Sequence, residues 1–263
     1  MPLPLDTAVH AAREAAALIR REAGRADVRY KGPQDLVTAT DEAAQHLIGA
    51  ILVEAFPDSF VVGEEGPTQD APPGTRMRWI VDPIDGTINF AHGAPAYAVS
   101  IGLEVDGAME VGVILDVSRD ELFAAQRGQG ATLNGSPIAV SKTPTLAEAL
   151  VAHGMPYRCH AYRAAYVSVL EAMLEAVQGQ RRLGSAALDL AYVASGRFDA
   201  GFLVGIRPWD VAAGWLLIEE AGGRVTDFRG DSYRLGRPQI AFSNALTHNS
   251  LQDLVYPLRE VDC

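Results

Sequence analysis

A short apolar run, Trp79-Ile80-Val81, ends in Asp82-Pro83-Ile84-Asp85-Gly86-Thr87. The run reads as a buried strand. Any fold for this chain must therefore bring one strand end to a place where two carboxylates and a hydroxyl can stand together. The proline fixes the backbone between the acids, and the glycine lets it approach a ligand closely. Hard divalent cations are held in this way, by oxygen ligands on a rigid turn. The same residues also fit a helix start, with Asp82 as N-cap, Pro83 at the first helical position and Asp85 closing a capping box. The segment alone leaves both readings open.

Composition narrows the setting. The chain has 263 residues, 48% hydrophobic and 21% charged, which suits a single domain over 1–263 with sub-domains of roughly 1–145 and 146–263 sharing a core. No apolar run approaches the roughly 20 residues of a membrane helix. The N-terminus reads as an amphipathic helix, with Leu5, Val9, Ala12, Ala16 and Ile19 on one face, and not as a signal peptide. Cys159 and Cys263 give no disulfide framework and no metal spacing, so a reducing cytoplasm is the expected location. The net charge is −11 and no Lys/Arg block stands out, which argues against a direct nucleic-acid partner. Lys31 and Lys142 are the only lysines against twenty arginines, so Lys31 is one of two places offering a compact ammonium charge.

Periodicity predicts helices over 6–23 and 40–55, a strand at Phe60-Val61-Val62, and an exposed Pro/Gly-rich loop over 67–76. From Tyr97 to Val140 the period changes to two. Runs at 97–105 and 109–117 flank Asp106-Gly107, and a later run reaches Asn134-Gly135 before 137–140, which are hairpin signals. The Arg127-Gly128-Gln129-Gly130 stretch is turn chemistry, since it does not open a helix. Helices return over 162–178, 185–195 and 210–221, the last stopping at Gly222-Gly223. An antiparallel meander followed by alternating elements implies layered α/β structure.

Four acidic positions share a local character: Asp41, Glu64-Glu65, Asp82/Asp85 and Asp210 each sit where a strand or loop meets a turn or helix start. Taken singly, Asp41 and Asp210 are equally well helix N-terminal carboxylates, worth about 0.5–2 kcal/mol as caps. Glu64-Glu65 alone fits a solvated turn.

Taken together, the pieces resemble a known family. WIVDPIDGTINF (79–90) and PWDVAAGWLLIEEAGG (208–223) look like the two signatures of the inositol monophosphatases, magnesium-dependent and lithium-sensitive hydrolases. LVTATD (36–41), VGEE (62–65) and GSAALDLAYVASGRFDA (184–200) match in type and order, so the resemblance covers nearly the whole chain. It implies an α/β/α/β/α sandwich, with a meander sheet in the N-terminal half and a mixed sheet in the C-terminal half, often assembled as a homodimer. It implies two or three Mg²⁺ ions, with Mn²⁺ as a substitute, held by Glu64, Asp82, the Ile84 carbonyl, Asp85 and Asp210. Thr87, supported by Asp41, and Glu64 would orient the attacking water. Backbone amides at Gly86 and Thr87 would hold the phosphate, and Gly184, Ser185, Ala186 and Asp210 would meet the rest of the substrate. Glu65 and Lys31 match supporting positions.

That chemistry is consistent with the residues. A phosphate monoester carries roughly −2 charge at neutral pH, and carboxylates alone would repel it. Divalent cations reverse the local sign. No cysteine lies in a signature and no serine lies in an elbow motif, so a protein nucleophile has no candidate and direct in-line hydrolysis by metal-activated water is expected.

One position departs from the family pattern. Members acting on inositol phosphates carry a glutamate seven residues before the second-signature aspartate, and here that position is Leu203. Leucine cannot accept a hydroxyl hydrogen bond. Either Leu203 fills core and other groups hold inositol, or the substrate differs: fructose 1,6-bisphosphate, a 3′-phosphoadenosine nucleotide or histidinol phosphate. A regulatory protein-binding role is the rival from another class. His92 reads as a loop histidine, Trp209 as packing beneath Asp210, and Arg181-Arg182 as a solvated pair able to touch an anionic substrate.

Overall fold

The computed structural model describes residues 2–24, 28–32, 35–65, 72 and 74–263. Helix α1 (Pro4–Glu22) leads into a hairpin of β1 (Val28–Gly32) and β2 (Asp35–Thr38), then α2 (Ala39–Ala55). A seven-stranded sheet follows: β3 (Phe60–Gly63), β4 (Met77–Asp85), β5 (Ala98–Val105), β6 (Ala108–Asp116), β7 (Glu121–Gln126), β8 (Ala131–Leu133) and β9 (Ser136–Ile138). The five-residue α3 (Thr87–Ala91) sits between β4 and β5. Strands β3 and β4 are parallel and the remaining neighbours antiparallel, in sequence order. This is the meander that the alternating runs and Asp-Gly/Asn-Gly turns predict.

The second half adds β10 (Leu150–Gly154), α4 (Arg163–Ala176), β11 (Gly179–Arg181), α5 (Ala186–Ala194), β12 (Ala200–Val204), α6 (Pro208–Glu220), β13 (Arg224–Thr226), β14 (Gln239–Ser243) and α7 (His248–Val255). Its sheet runs β11-β10-β12-β14-β13, parallel around β10 and antiparallel around β14.

Burial sorts these elements into five layers. Trp79 and Val81 on β4 pack with Ala12, Ala16 and Ile48 of α1 and α2. Ile80, between them on the opposite strand face, packs with Leu190 and Leu216 of α5 and α6, as a two-residue period requires. The far side of α5 and α6 meets Leu203 and Phe242 of the second sheet, whose other face holds Val169 of α4 and Leu251 of α7. The order is therefore helix pair, sheet, helix pair, sheet, helix pair, the α/β/α/β/α sandwich expected. Glycine makes the middle layer tight: a Cβ on Gly112 would lie 2.5 Å from the Ala213 carbonyl oxygen, so only a bare backbone lets α6 press on β6.

Two expectations need comment. The loop over 67–76 falls largely outside the described residues. Cys159 and Cys263 are joined as a disulfide spanning 104 residues of sequence, which corrects the reading of two unpaired thiols. The chain's last turn returns beside the segment after β10, a proximity that sequence separation cannot report. The argument from cysteine usage to a reducing compartment loses its support with it.

Candidate active site

The site is built at a fault in β4. Asp82 faces Ser100 of β5 and Asp85 faces Ala98, so three steps along β4 answer two along β5. In a regular strand, residues three apart point to opposite faces. The extra residue at Pro83-Ile84, where a proline is tolerated because the ladder is already broken, restores the two aspartates to one side. The strand reaches Asp85, and helix α3 begins only at Thr87. The alternative of Asp82 as a helix N-cap is thereby excluded.

Asp210 arrives from the other direction, in the first turn of α6, where its Oδ2 accepts from the Arg207 N–H at 2.7 Å. Asp82, Asp85 and Asp210 each offer a carboxylate oxygen within 4.8 Å of the others. Capping and clustering coexist in this residue.

Each acid is held differently. Asp82 is 1% exposed and its Oδ1 accepts from the Ile84 N–H at 3.0 Å. Asp85 receives the Ser185 hydroxyl and the amides of Ala186 (3.2 Å) and Ala187 (2.7 Å), so the start of α5 grips it. Burial pushes Asp85 up to about 6, against the lowering effect of those donors. Asp82 rises well above the carboxylate range through burial, then through the charges of Glu64, Asp85, Asp210 and Asp41. The cluster is a place where negative charge is costly until something positive joins it.

Asp41 and Thr87 form a second unit. Asp41 sits in the first turn of α2, where its Oδ2 accepts from the Thr38 N–H at 2.9 Å and from the Thr38 hydroxyl. It is a helix-capping carboxylate, and its other oxygen lies 3.2 Å from the Thr87 hydroxyl. That hydroxyl also lies 3.1 Å from the Ile84 carbonyl oxygen, so its single proton goes to one or the other. Between these elements Gly86 has φ +100°, and a Cβ there would lie 2.9 Å from the Ala96 carbonyl oxygen. The position demands glycine on both counts.

Two chambers open on the aspartates. Glu64, Asp82, Ile84, Gly86 and Thr87 line one, together with Asp85, Gly184 and Asp210. The last three also line the second chamber, which continues to His153, Met155, Arg182, Asp189, Leu203 and Ile206. Glu64 thus shares the first chamber and acts on Asp82 through its charge, outside the three-carboxylate cluster. Gly184 and Ala186 reach the second chamber, while the Ser185 hydroxyl is engaged with Asp85 and with the Leu188 amide.

The remaining predicted residues separate clearly. The Glu65 N–H donates to the Gln45 side chain at 2.8 Å. Trp209 is partly buried and packs on the core around α5 and α6. His92 is exposed at the end of α3 and lines neither chamber. Arg182 lines the second chamber and donates to the Met155 carbonyl, whereas Arg181 bonds the neighbouring Gln180 carbonyl. Lys31 lies on β1, with its side chain outside the described residues. Sequence reasoning passed over Asp189 and His153. An available signal for Asp189 is a carboxylate inside the otherwise apolar run Ala186-Ala187-Leu188-Asp189-Leu190-Ala191, since such groups are seldom buried without a reason.

The arrangement gathers hard oxygen donors under unfavourable negative charge, which suits a divalent cation. Comparison with known proteins agrees. A family profile described as the inositol monophosphatase family matches residues 4–260. The Pseudomonas aeruginosa protein named Nus factor SuhB is 41% identical over 259 residues, covering 96% of each chain. The inositol-1-monophosphatase of Mesorhizobium japonicum is 39% identical over 251 residues, covering 94% of each. Among solved structures, an IMPase from Thermotoga maritima superposes with a TM-score of 0.88 at 36% identity, over 95% of this chain and 96% of that one.

Proposed function

This chain belongs to the inositol monophosphatase family, and we propose that it hydrolyses a small phosphomonoester, inositol 1-phosphate in the first instance, by direct attack of water. The observation that carries the reading is the cluster at the β4 fault: Asp82, Asp85 and Asp210 offer oxygens within 4.8 Å of one another.

The donor set fits Mg²⁺, with Mn²⁺ as a substitute. It consists of carboxylates and a carbonyl, with neither thiolate nor imidazole. Asp82, Asp85, Asp210, Glu64 and the Ile84 carbonyl would hold two or three ions. Such ions, when bound, offset the substrate's negative charge and make a coordinated water more acidic.

The chain's own groups then have separable tasks. Asp41 takes the Thr87 proton, which leaves the Thr87 oxygen free to accept from a water and turn that water's lone pair towards phosphorus. Glu64, in the same chamber, accepts the water's other proton. The amides of Gly86 and Thr87 at the start of α3 face the phosphate oxygens. The second chamber takes the leaving group, with Gly184 and Ala186 at its mouth. Ser185 acts indirectly, by holding Asp85.

The test is phosphate release from inositol 1-phosphate, fructose 1,6-bisphosphate, 3′-phosphoadenosine 5′-phosphate and histidinol phosphate at fixed Mg²⁺, with EDTA and lithium controls. Activity that is lost in EDTA and restored by Mg²⁺ supports the reading. Full activity in D82N or D85N, or metal-independent turnover, sinks it. Preference for a substrate other than inositol 1-phosphate would make Leu203 a specificity marker. A second reading has support in the relative named a Nus factor: the chain binds a protein partner. Capture of that partner by D82N as well as by wild type would favour it. Homodimeric assembly and a cytoplasmic location complete the proposal; sedimentation at micromolar concentration and cell fractionation test them.

A further inference from the structure

We infer that Asp189, on the wall of the second chamber, is the hydroxyl-accepting residue that sets substrate preference here, in a chamber where Leu203 offers no acceptor. The inference rests on the phosphomonoesterase reading and adds to it a specificity-determining residue.

Asp189 is 2% exposed, and its Oδ1 is buried with no hydrogen-bond partner among the described residues. A buried polar atom left in that state is costly, so it calls for a reason. Helix capping does not supply one. Asp189 stands in the first turn of α5, but the amides there are taken: those of Ala186 and Ala187 by Asp85, and that of Leu188 by the Ser185 hydroxyl. A capping carboxylate would have claimed them.

Apart from Asp85 and Asp210 of the cluster, the chamber's other walls provide no carboxylate. Leu203 is 3% exposed and Ile206 and Met155 are apolar. The His153 Nδ1 is engaged with the Tyr166 hydroxyl at 2.7 Å. Arg182 is a donor only, and it already bonds the Met155 carbonyl. A hydroxylated leaving group brings donor hydrogens that must each find an acceptor once water is excluded. Beyond the metal cluster, Asp189 is the side chain in this wall with an oxygen still to be satisfied. It lies one helical turn beyond the residues that grip Asp85, roughly 5 Å along α5.

The experiment compares wild type, D189L and D189N on inositol 1-phosphate, fructose 1,6-bisphosphate and phenyl phosphate in Mg²⁺, the last having no hydroxyl on its leaving group. In D189L the ratio of kcat/KM on the hydroxylated substrates to that on phenyl phosphate should fall by about 10–100-fold, chiefly through KM. D189N keeps the shape and one acceptor oxygen, and should recover most of the loss. Equal losses on all three substrates mean a structural role and overturn the inference, as does an unmoved ratio. Should D189L fail to fold, D189N decides: a KM-borne fall in the ratio of about threefold supports the inference and none refutes it. Wild type that hydrolyses only phenyl phosphate refutes this inference alone. Wild type that hydrolyses nothing refutes the phosphatase reading as well.

Discussion

Removing a charge from the aspartate cluster should stabilise the metal-free protein while destroying its activity. The perturbation is Asp82→Asn. Asp82 accepts a single amide hydrogen bond, from Ile84, which an asparagine carbonyl can also accept. The change therefore removes charge without opening a cavity. Its size follows from the neighbouring acid. Asp85 is pushed up to about 6 from the usual 3.8, and its folded form therefore binds a proton more tightly than its unfolded form. Stability linked to such a group is fully present below pH ~4 and is lost as pH rises through about 6. Two units at roughly 1.4 kcal/mol each amount to about 3 kcal/mol lost at neutral pH. Asp82 is raised as well, by burial and then by Glu64, Asp85, Asp210 and Asp41, so its ionisation is also opposed in the folded protein.

Urea unfolding in EDTA, followed at pH 4 and pH 7.5, measures this. D82N should exceed wild type by about 2–3 kcal/mol at pH 7.5 and match it near pH 4, where Asp82 already carries its proton. Added Mg²⁺ should reverse the order, because wild type gains binding free energy that the variant cannot. Turnover in Mg²⁺ should fall by more than 1,000-fold, on the scale of losing a group that acts only in the transition state. A variant less stable than wild type at both pH values, in EDTA, would show that the cluster is not held under electrostatic stress and would refute the reasoning.

Other changes test separate parts. Gly86→Ala meets a +100° backbone and the Ala96 carbonyl, and should cost about 2 kcal/mol or more in urea unfolding, with lower activity because α3 shifts. Thr87→Val removes the hydroxyl between Asp41 and Ile84, and kcat should fall about 100-fold at unchanged thermal midpoint. Breaking Cys159–Cys263 with reductant, or by C159S, should cost about 2–5 kcal/mol given the 104-residue separation, read from urea unfolding with and without dithiothreitol. Leu203→Glu, which places a carboxylate on β12, should raise the preference for inositol 1-phosphate over phenyl phosphate by about tenfold or more, measured as a kcat/KM ratio.

Much of this was legible in the residues, and the parts that were not share a cause. Local patterns reported local structure: alternation and Asp-Gly turns gave the meander, and the buried face of α1 followed from Ala12, Ala16 and Ile19. The WIVDPIDGT stretch announced carboxylates at a strand end. What it could not announce was the bulge, because whether Asp82 and Asp85 share a face depends on pairing with Ser100 and Ala98 of β5. Asp189 had a local signal, a carboxylate in an apolar run, but the chamber it shares with Met155 and Leu203 is formed by elements distant in sequence. Cys159 and Cys263 looked unrelated because the return of the chain end is a property of the whole fold. Asp41 and Asp210 read as helix caps, and both are; the second use of each side chain appears only when a distant element is brought alongside.

The shared wall of the two chambers explains how one chemistry can serve different substrates. Asp85, Gly184 and Asp210 belong to both. They are fixed from behind, Asp85 by the start of α5 and Asp210 by the start of α6. The first chamber is lined by backbone and by acids, two of which, Asp82 and Asp85, are placed by the β4 bulge, so on the proposed reading a substitution there should disturb metal binding and turnover together. The second chamber is lined near the aspartates by Ser185 and Ala186, which hold Asp85, and further out by His153, Asp189 and Leu203, which make no hydrogen bond to Asp82, Asp85 or Asp210. Leu203 lines the second chamber alone, whereas Asp82 and Thr87 line the first. On the proposed reading, substrate preference can change along β12 and at Asp189 while the aspartate cluster stays anchored on β4 and α6. Variants at Leu203 and Asp189 should accordingly alter KM ratios between substrates, whereas variants at Asp82, Asp85 and Thr87 should lower kcat on every substrate alike.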